Sequence, residues 1–255
     1  MPGNSIPRPA RKVLRRLLPA DTYRRYATRH EDESLRIWAR LSEAVPTSRA
    51  ILDIGAFQGE FALVARRSNR KAPVYAFEPA QEHAAHLANV SKEAGIVFVT
   101  EAIGAENGTA QFLRHQKGGQ AGQLVAHHPR GEDVAAEMYE VQVTTLDTWT
   151  QREGVRPALV KIDVEMALPA LLQGVSETFR KDQPVVICEV LNGEAGQALE
   201  AALPDGYAAR YVNELGRLER RSPIQPYSWR SRNWLLYPER GGALDVPSIL
   251  PSILA

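Results

Sequence analysis

Carboxylates and glycines recur at one kind of place in this 255-residue chain, just after short apolar runs. Asp53-Ile54-Gly55-Ala56-Phe57-Gln58-Gly59 closes the first run, Phe77-Glu78-Pro79 the second and Glu101-Ala102-Ile103-Gly104 the third. Asp163-Val164-Glu165 and Glu189 close two later ones. Gly55 and Gly59 suit a sharp turn that needs positive φ and close backbone approach to a ligand. Glu78 follows Asp53 by 25 positions and could accept hydrogen bonds from both hydroxyls of a ribose. It could equally cap a helix after Pro79, since an acid near a helix start is favourable. Asp163 and Glu165 have the same two readings. The glycine spacing is G-x-x-x-G, not G-x-G-x-x-G, so there is no pyrophosphate cradle and a dinucleotide is disfavoured. A nucleoside without phosphate fits better, and S-adenosylmethionine is the common one.

These groups must be held by something. Ala50-Ile51-Leu52-Asp53-Ile54 is a short apolar run of the kind buried on both faces of a parallel sheet. Helix is expected over 59–67, strand over 73–77, helix over 80–94 and strand over 96–100. Strand 158–162, helix 168–181 beginning near Pro169, strand 184–190 and helix 193–203 continue the rhythm, and strands 207–213 and 233–237 end it. Alternation of this kind builds βαβ units on a parallel sheet. In such sheets ligands sit beyond the carboxyl ends of the strands, which is where the acids and glycines lie. Residues 103–143 interrupt the rhythm. Asn107-Gly108 reads as a hairpin turn, 114–138 as a loop or lid, 140–144 as a strand and 146–153 as a short helix. Residues 1–48 read as a helical extension, 49–238 as the main domain and 239–255 as a tail.

The sequence Ile51-Leu52-Asp53-Ile54-Gly55-Ala56-Phe57-Gln58-Gly59-Glu60-Phe61 resembles the first motif of class I methyltransferases. Ala76-Phe77-Glu78-Pro79, Ala102-Ile103-Gly104, Thr145-Leu146-Asp147 and Val160-Lys161-Ile162-Asp163-Val164-Glu165 resemble the FkbM methyltransferase family. The resemblance implies a Rossmann-like α/β fold: a seven-stranded, mostly parallel sheet with one antiparallel strand and helices on both faces. It implies O-methylation, often of sugar or polyketide hydroxyls. By this resemblance Asp53, Gly55 and Gly59 would shape the methionine end of an S-adenosylmethionine site, Glu78 would hold the ribose, and Ala102 and Ile103 would line the adenine; Ala56, Phe57, Pro79 and Asp163 are also expected among the cofactor-binding residues. The family pattern continues after Asp-Val-Glu with Gly-Ala-Glu, where this chain has Met166, Ala167 and Leu168 followed by Pro169.

A hydroxyl acceptor must lose its proton during transfer, and Asp163, Glu165, Glu189, His127 and His128 are the candidate bases. His127 and His128 read either as groups that swing over the acceptor or as exposed loop residues. The acid trio could bind a divalent cation, but acids at strand ends are also common as plain acceptors, so a metal is not favoured. Trp229, Arg230, Arg232 and Trp234 could stack on an acceptor or pack a final hairpin. A nicotinamide-dependent oxidoreductase would use Glu78 equally well, against the glycine spacing. A non-catalytic cofactor-binding scaffold is favoured by the altered 166–168 segment.

Lys+Arg total 31 and Asp+Glu 30, a balance that calls for no nucleic-acid partner. The expected partner is a small-molecule or glycan acceptor. No apolar run approaches the roughly 20 residues of a membrane span. Arg8, Arg11, Lys12, Arg15 and Arg16 with Val13, Leu14, Leu17 and Leu18 describe a basic amphipathic helix, able to touch an anionic membrane weakly or to dock on its own domain. No apolar core of the secretory type is seen, so a cytoplasmic protein is expected.

Overall fold

The computed structural model describes residues 32–114, 123–125, 137–228 and 231–251. The elements are α1 (Asp32–Glu43), β1 (Ala50–Ile54), α2 (Glu60–Ser68), β2 (Val74–Phe77), α3 (Gln81–Ala94), β3 (Val97–Val99), β4 (Ala102–Ile103) and β5 (Gly108–Arg114). They continue with β6 (Gln123–Val125), β7 (Glu137–Thr144), α4 (Leu146–Glu153), β8 (Pro157–Ile162), α5 (Leu168–Leu171), α6 (Ser176–Asp182), β9 (Val185–Glu189) and α7 (Gly193–Ala202). Strands β10 (Tyr207–Val212), β11 (Leu218–Glu219) and β12 (Asn233–Pro238) and helix α8 (Val246–Ile249) complete the chain. The basic amphipathic segment before residue 32, His127, His128, Trp229 and Arg230 lie outside the described residues.

The main sheet runs β3-β2-β1-β8-β9-β12-β10-β11. Strands β3, β2, β1, β8 and β9 pair in parallel. β12 pairs antiparallel with both β9 and β10, so it is the single reversed strand among the seven expected. The eighth strand, β11, is a two-residue antiparallel edge on β10. Because successive strand residues face opposite sides, the strands feed two cores. Ile51, Val74, Leu159, Val185 and Leu235 join one, with α1 and α2. Leu52, Phe77, Val160, Val186 and Leu236 join the other, with Trp149 and Phe179 from α4 and α6.

The segments read as extension and tail contribute to the first core. Trp38 of α1 is buried, meets Phe61 edge to face at 5.7 Å and donates its indole N–H to the Phe61 carbonyl at 2.9 Å. Val246 and Leu250 at α8 are buried in the same cluster.

Three local expectations are corrected. Asn107-Gly108 does not close a two-stranded hairpin: β4 and β5 lie on opposite sides of β7 in a second sheet ordered β4-β7-β5-β6. The turn carries the chain across the end of β7, and the Asn107 side chain ties it to Thr144, Thr145 and Thr148. Within the segment read as a loop, residues 123–125 pair with β5. The helix expected over 168–181 is broken into α5, a 3-10 turn at Leu172–Gly174 and α6. A Cβ on Gly174 would lie 2.5 Å from the Gly104 carbonyl oxygen and 2.8 Å from the Thr145 Cβ, so the backbone must pass here unadorned.

Asp147 starts α6 afresh. Its carboxylate accepts the N–H groups of Glu177 at 3.0 Å and Thr178 at 2.7 Å. This acid of the Thr-Leu-Asp motif therefore works as a helix cap supplied by another element. Asp147→Ala is expected to lower stability by about 1–2 kcal/mol, read from the urea midpoint, with ligand affinity unchanged.

Candidate functional site

The register of β1 and β8 builds the floor of the site. Asp53 stands opposite Lys161 across the parallel pair. Parity puts both on the α2 face of the sheet, and both are buried. Asp53 Oδ2 accepts the Ala62 N–H of α2 at 2.9 Å, while Oδ1 lies 3.5 Å from Lys161 Nζ. Lys161 Nζ also donates to the Gly55 carbonyl at 3.2 Å, lies 3.3 Å from Asp163 Oδ2 and sits 4.7 Å from the centre of the Phe61 ring. Lys161 is the residue that sequence reading left without a role. A lysine inside an otherwise apolar run was the available signal, because a buried ammonium must find acceptors.

The turn after β1 is tied to β2. The N–H groups of Gly55 and Ala56 both donate to the Phe77 carbonyl, at 3.0 and 2.8 Å. Gly55 has φ +79° and backs onto the Asp163 carbonyl, where a Cβ would overlap it. Gly59, φ +84°, sits at the N-terminus of α2. Phe57 also lies in the left-handed region, φ 52°, with its ring edge-on to His83 at 4.5 Å. A bulky residue held there stores strain, as functional turns often do.

Glu78 closes this corner. Its Oε2 accepts the Phe57 N–H at 2.8 Å and its Oε1 accepts the Ala80 N–H at 2.9 Å. The two readings of Glu78 therefore coexist: it braces the chain before α3, past the half-exposed Pro79, and it also grips the glycine turn. Each carboxylate oxygen has a second lone-pair direction for a ligand hydroxyl. Burial pushes the Glu78 carboxyl up to about 7, against the pull of the Ala80 and Phe57 N–H groups and of Lys161. A carboxyl raised in the folded state binds protons that the unfolded chain has released, so Glu78 withdraws stability as pH rises from its ordinary range towards 7. A ligand that donates hydrogen bonds to the ionised acid offsets that cost.

On the other side, β8 ends at Ile162 and the chain turns, with Asp163 N–H held by the Ile54 carbonyl at 2.9 Å. Ile162 pairs with Cys188, so Asp163 and Glu189 follow as neighbours across the tips of β8 and β9. Burial, with the charge and hydrogen-bonding pull of the adjacent Asp163 carboxylate, pushes Glu189 well above the ordinary carboxylate range. Two adjacent acids cannot both ionise cheaply. Arg232, just before β12, approaches Glu189 Oε1 at 3.6 Å. Glu165 has φ 52°, opens a 3-10 turn at Glu165–Ala167 and raises Glu189 further. Asp163, Glu165 and Glu189 thus share one neighbourhood. Exposure ranks them against Asp53: the Asp163 side chain is 34% accessible and Glu189 21%, whereas Asp53 is sealed.

Other expected residues fall elsewhere. Ala102 and Ile103 are buried in β4, paired with β7, and Ile103 packs in the second core. Trp234 is buried against Tyr211 and Tyr227 and donates to the Gln225 carbonyl at 3.1 Å, so it packs the hairpin and cannot stack on an acceptor. Leu168 is buried and Met166 is exposed, its sulfur 3.9 Å from the Asn192 side-chain nitrogen. Among the described residues, no group of three His, Cys, Asp or Glu side chains is arranged to hold a metal ion.

The family described as the methyltransferase FkbM domain matches residues 53–211, more than half of the chain. The chain belongs to the FkbM methyltransferase family. Among solved structures, the methyltransferase FkbM from Methylobacillus flagellatus KT matches at 15% identity and TM-score 0.50, over 90% of this chain and 58% of that one. An rRNA methylase from Streptococcus thermophilus matches at 9% identity and TM-score 0.47, over 82% of this chain and 95% of that one. A putative O-methyltransferase from Klebsiella pneumoniae matches at 14% identity and TM-score 0.45, over 93% of this chain and 91% of that one. At such identities the likeness is one of fold, and the chain spans 58% of the length of the Methylobacillus protein. No curated protein matches the chain. The family match encloses the glycine turn, Glu78, Lys161, Asp163 and Glu189, and stops before Arg232. Among the described residues of this family member, no helix is long and apolar enough to cross a membrane.

Proposed function

We propose that this chain binds S-adenosylmethionine across the tips of β1 and β2 and passes its methyl group to a hydroxyl of a sugar, glycan or natural-product small molecule. The reading is carried by one contact: Phe57 of the glycine turn donates to the buried Glu78 carboxylate at 2.8 Å. The donor set fits the cofactor. Glu78 has acceptor capacity for ribose hydroxyls beside the N–H groups of Phe57 and Ala80 that it already binds. Bound there, S-adenosylmethionine supplies an electrophilic methyl on a cationic sulfur.

The chain's own groups do the rest. Gly55, Ala56, Phe57 and Gly59, braced by Asp53 through α2, shape the methionine end, and Glu78 holds the ribose. Ala102 and Ile103 support the adenine side from β4. Asp163 faces the acceptor side and takes the hydroxyl proton as the oxygen attacks, with Glu189 beside it as the second acid. Holding acceptor and methyl in line supplies much of the rate. No step requires a metal ligand set. The site is read as cytoplasmic, with no nucleic-acid substrate.

Titration calorimetry with S-adenosylmethionine, followed by a labelled-methyl assay over hydroxylated acceptors, tests the reading. Glu78→Ala is expected to weaken cofactor binding by about 1–3 kcal/mol through lost charged hydrogen bonds. Unchanged affinity in a folded variant would remove Glu78 from the ribose role. A second reading, a cofactor-binding scaffold, draws on the Met166-Ala167-Leu168 segment, whose methionine is exposed where the family pattern has glycine. Tight cofactor binding with no transfer to any acceptor would favour it.

A further inference from the structure

We propose that Lys161 is the positioning residue that locks the methyl-donor turn to the proton-accepting acid, so that the two halves of the reaction keep one geometry. The proposal rests on the reading of this site as a methyl-transfer site. Three oxygens from three segments surround one ammonium group: the Gly55 carbonyl of the donor turn at 3.2 Å, Asp53 Oδ1 of β1 at 3.5 Å and Asp163 Oδ2 beyond β8 at 3.3 Å. The ammonium donates to the Gly55 carbonyl and stands as counter-ion to both carboxylates, Asp53 Oδ1 making no hydrogen bond of its own. The Phe61 ring at 4.7 Å covers it, and only 6% of the residue is accessible. Lys161 is too enclosed to meet an acceptor molecule. Its partners are the groups on either side of the transfer path: the turn that shapes the donor site and the acid that faces the hydroxyl.

Lys161 also places its charge beside both acids. Burial raises Asp53, and Lys161 is the largest influence drawing it back. Asp163 is faced by Lys161 from β8, Asp53 from β1, Glu165 from the following turn, Glu189 and the buried Cys188 from β9, and through Glu189 by Arg232 before β12. Removing the Lys161 cation, 3.3 Å from the Asp163 carboxylate, favours protonated Asp163. The acid limb of the turnover profile then moves to higher pH, because a base must be deprotonated to act.

The test compares Lys161→Ala with the native chain. Cofactor affinity is expected to fall about tenfold, as a charge-assisted anchor of the donor turn is lost. Turnover is expected to fall about 100-fold, the scale of an ångström-size misplacement of reacting groups. The acid limb should shift upward, and added methylammonium should restore part of both parameters saturably while tetramethylammonium does not. A folded variant that binds and turns over within about twofold of native overturns the proposal, as does a loss that methylammonium leaves untouched. If Lys161→Ala does not fold, K161R and K161Q decide. Retention of the native limb by K161R and its loss by K161Q support the role, and equal behaviour of the two overturns it. Donor affinity and its rescue by amine need no acceptor. A native chain that binds the donor but methylates nothing would therefore sink the functional reading while leaving Lys161 to be judged separately.

Discussion

Asp163→Asn is expected to lower turnover by about 10²–10⁴-fold, the usual worth of a positioned proton acceptor, and to leave S-adenosylmethionine affinity within about fivefold. The asparagine keeps the shape of the side chain and an oxygen for Lys161, which lies 3.3 Å from the native carboxylate. It cannot accept a proton at neutral pH. Asp163 is chosen over Glu189 and Asp53 because its side chain is 34% accessible, against 21% for Glu189 and none for Asp53. Substitution also removes the charge that pushes Glu189 upward, so Glu189 should titrate closer to its ordinary range and act as a weak substitute base. Single-turnover kinetics with labelled donor, beside calorimetry, separate the two effects. Native-like turnover would take Asp163 out of the proton-accepting role and pass it to Glu189.

Gly55→Ala is expected to destabilise the fold by about 2–5 kcal/mol, combining the left-handed backbone cost with overpacking. Gly55 has φ +79°, and the added methyl would overlap the Asp163 carbonyl. Relief would require β1 and β8 to part at their tips, where the Asp163 N–H holds the Ile54 carbonyl and Lys161 bridges to Asp53. Gly95→Ala is the control. That glycine has φ +70° at the end of α3 with nothing near its missing Cβ, so only the backbone cost of about 1–2 kcal/mol applies. Urea midpoints of the two variants give the comparison. Equal losses would mean that the close approach at Gly55 carries no energy.

Much of the frame was readable from local pattern. The run 50–54 is buried at every position, as a mostly apolar stretch in a covered parallel sheet should be, with Asp53 its one charged residue. Helix α4 falls where expected, because Thr145 caps it through the Thr148 N–H and Gly154 ends it in a left-handed turn. The corner formed by the 55–59 turn and Glu78 was readable because each half ends its own strand, and β1 pairs directly with β2. The broken helix at 165–182 was not readable. Gly174 gives way to a neighbour more than 60 positions earlier in the chain, and Asp147 caps the new start from another helix. The register that opposes Asp53 to Lys161 could not be read either, since an apolar run carries no mark of which partner residue it will face.

The sequence by itself determined where strands end and which chemistry waits at their tips, because apolar runs, turn glycines and terminal acids are local properties of the chain. It also determined the family, through the same motifs. Tertiary structure decided which acids are sealed and which are open, that Lys161 joins the glycine turn to Asp163, and that Trp234 packs while Asp147 caps. Those outcomes depend on strand register, burial and close approach between segments far apart in the chain, where desolvation and pairing energies set the role of a charged group.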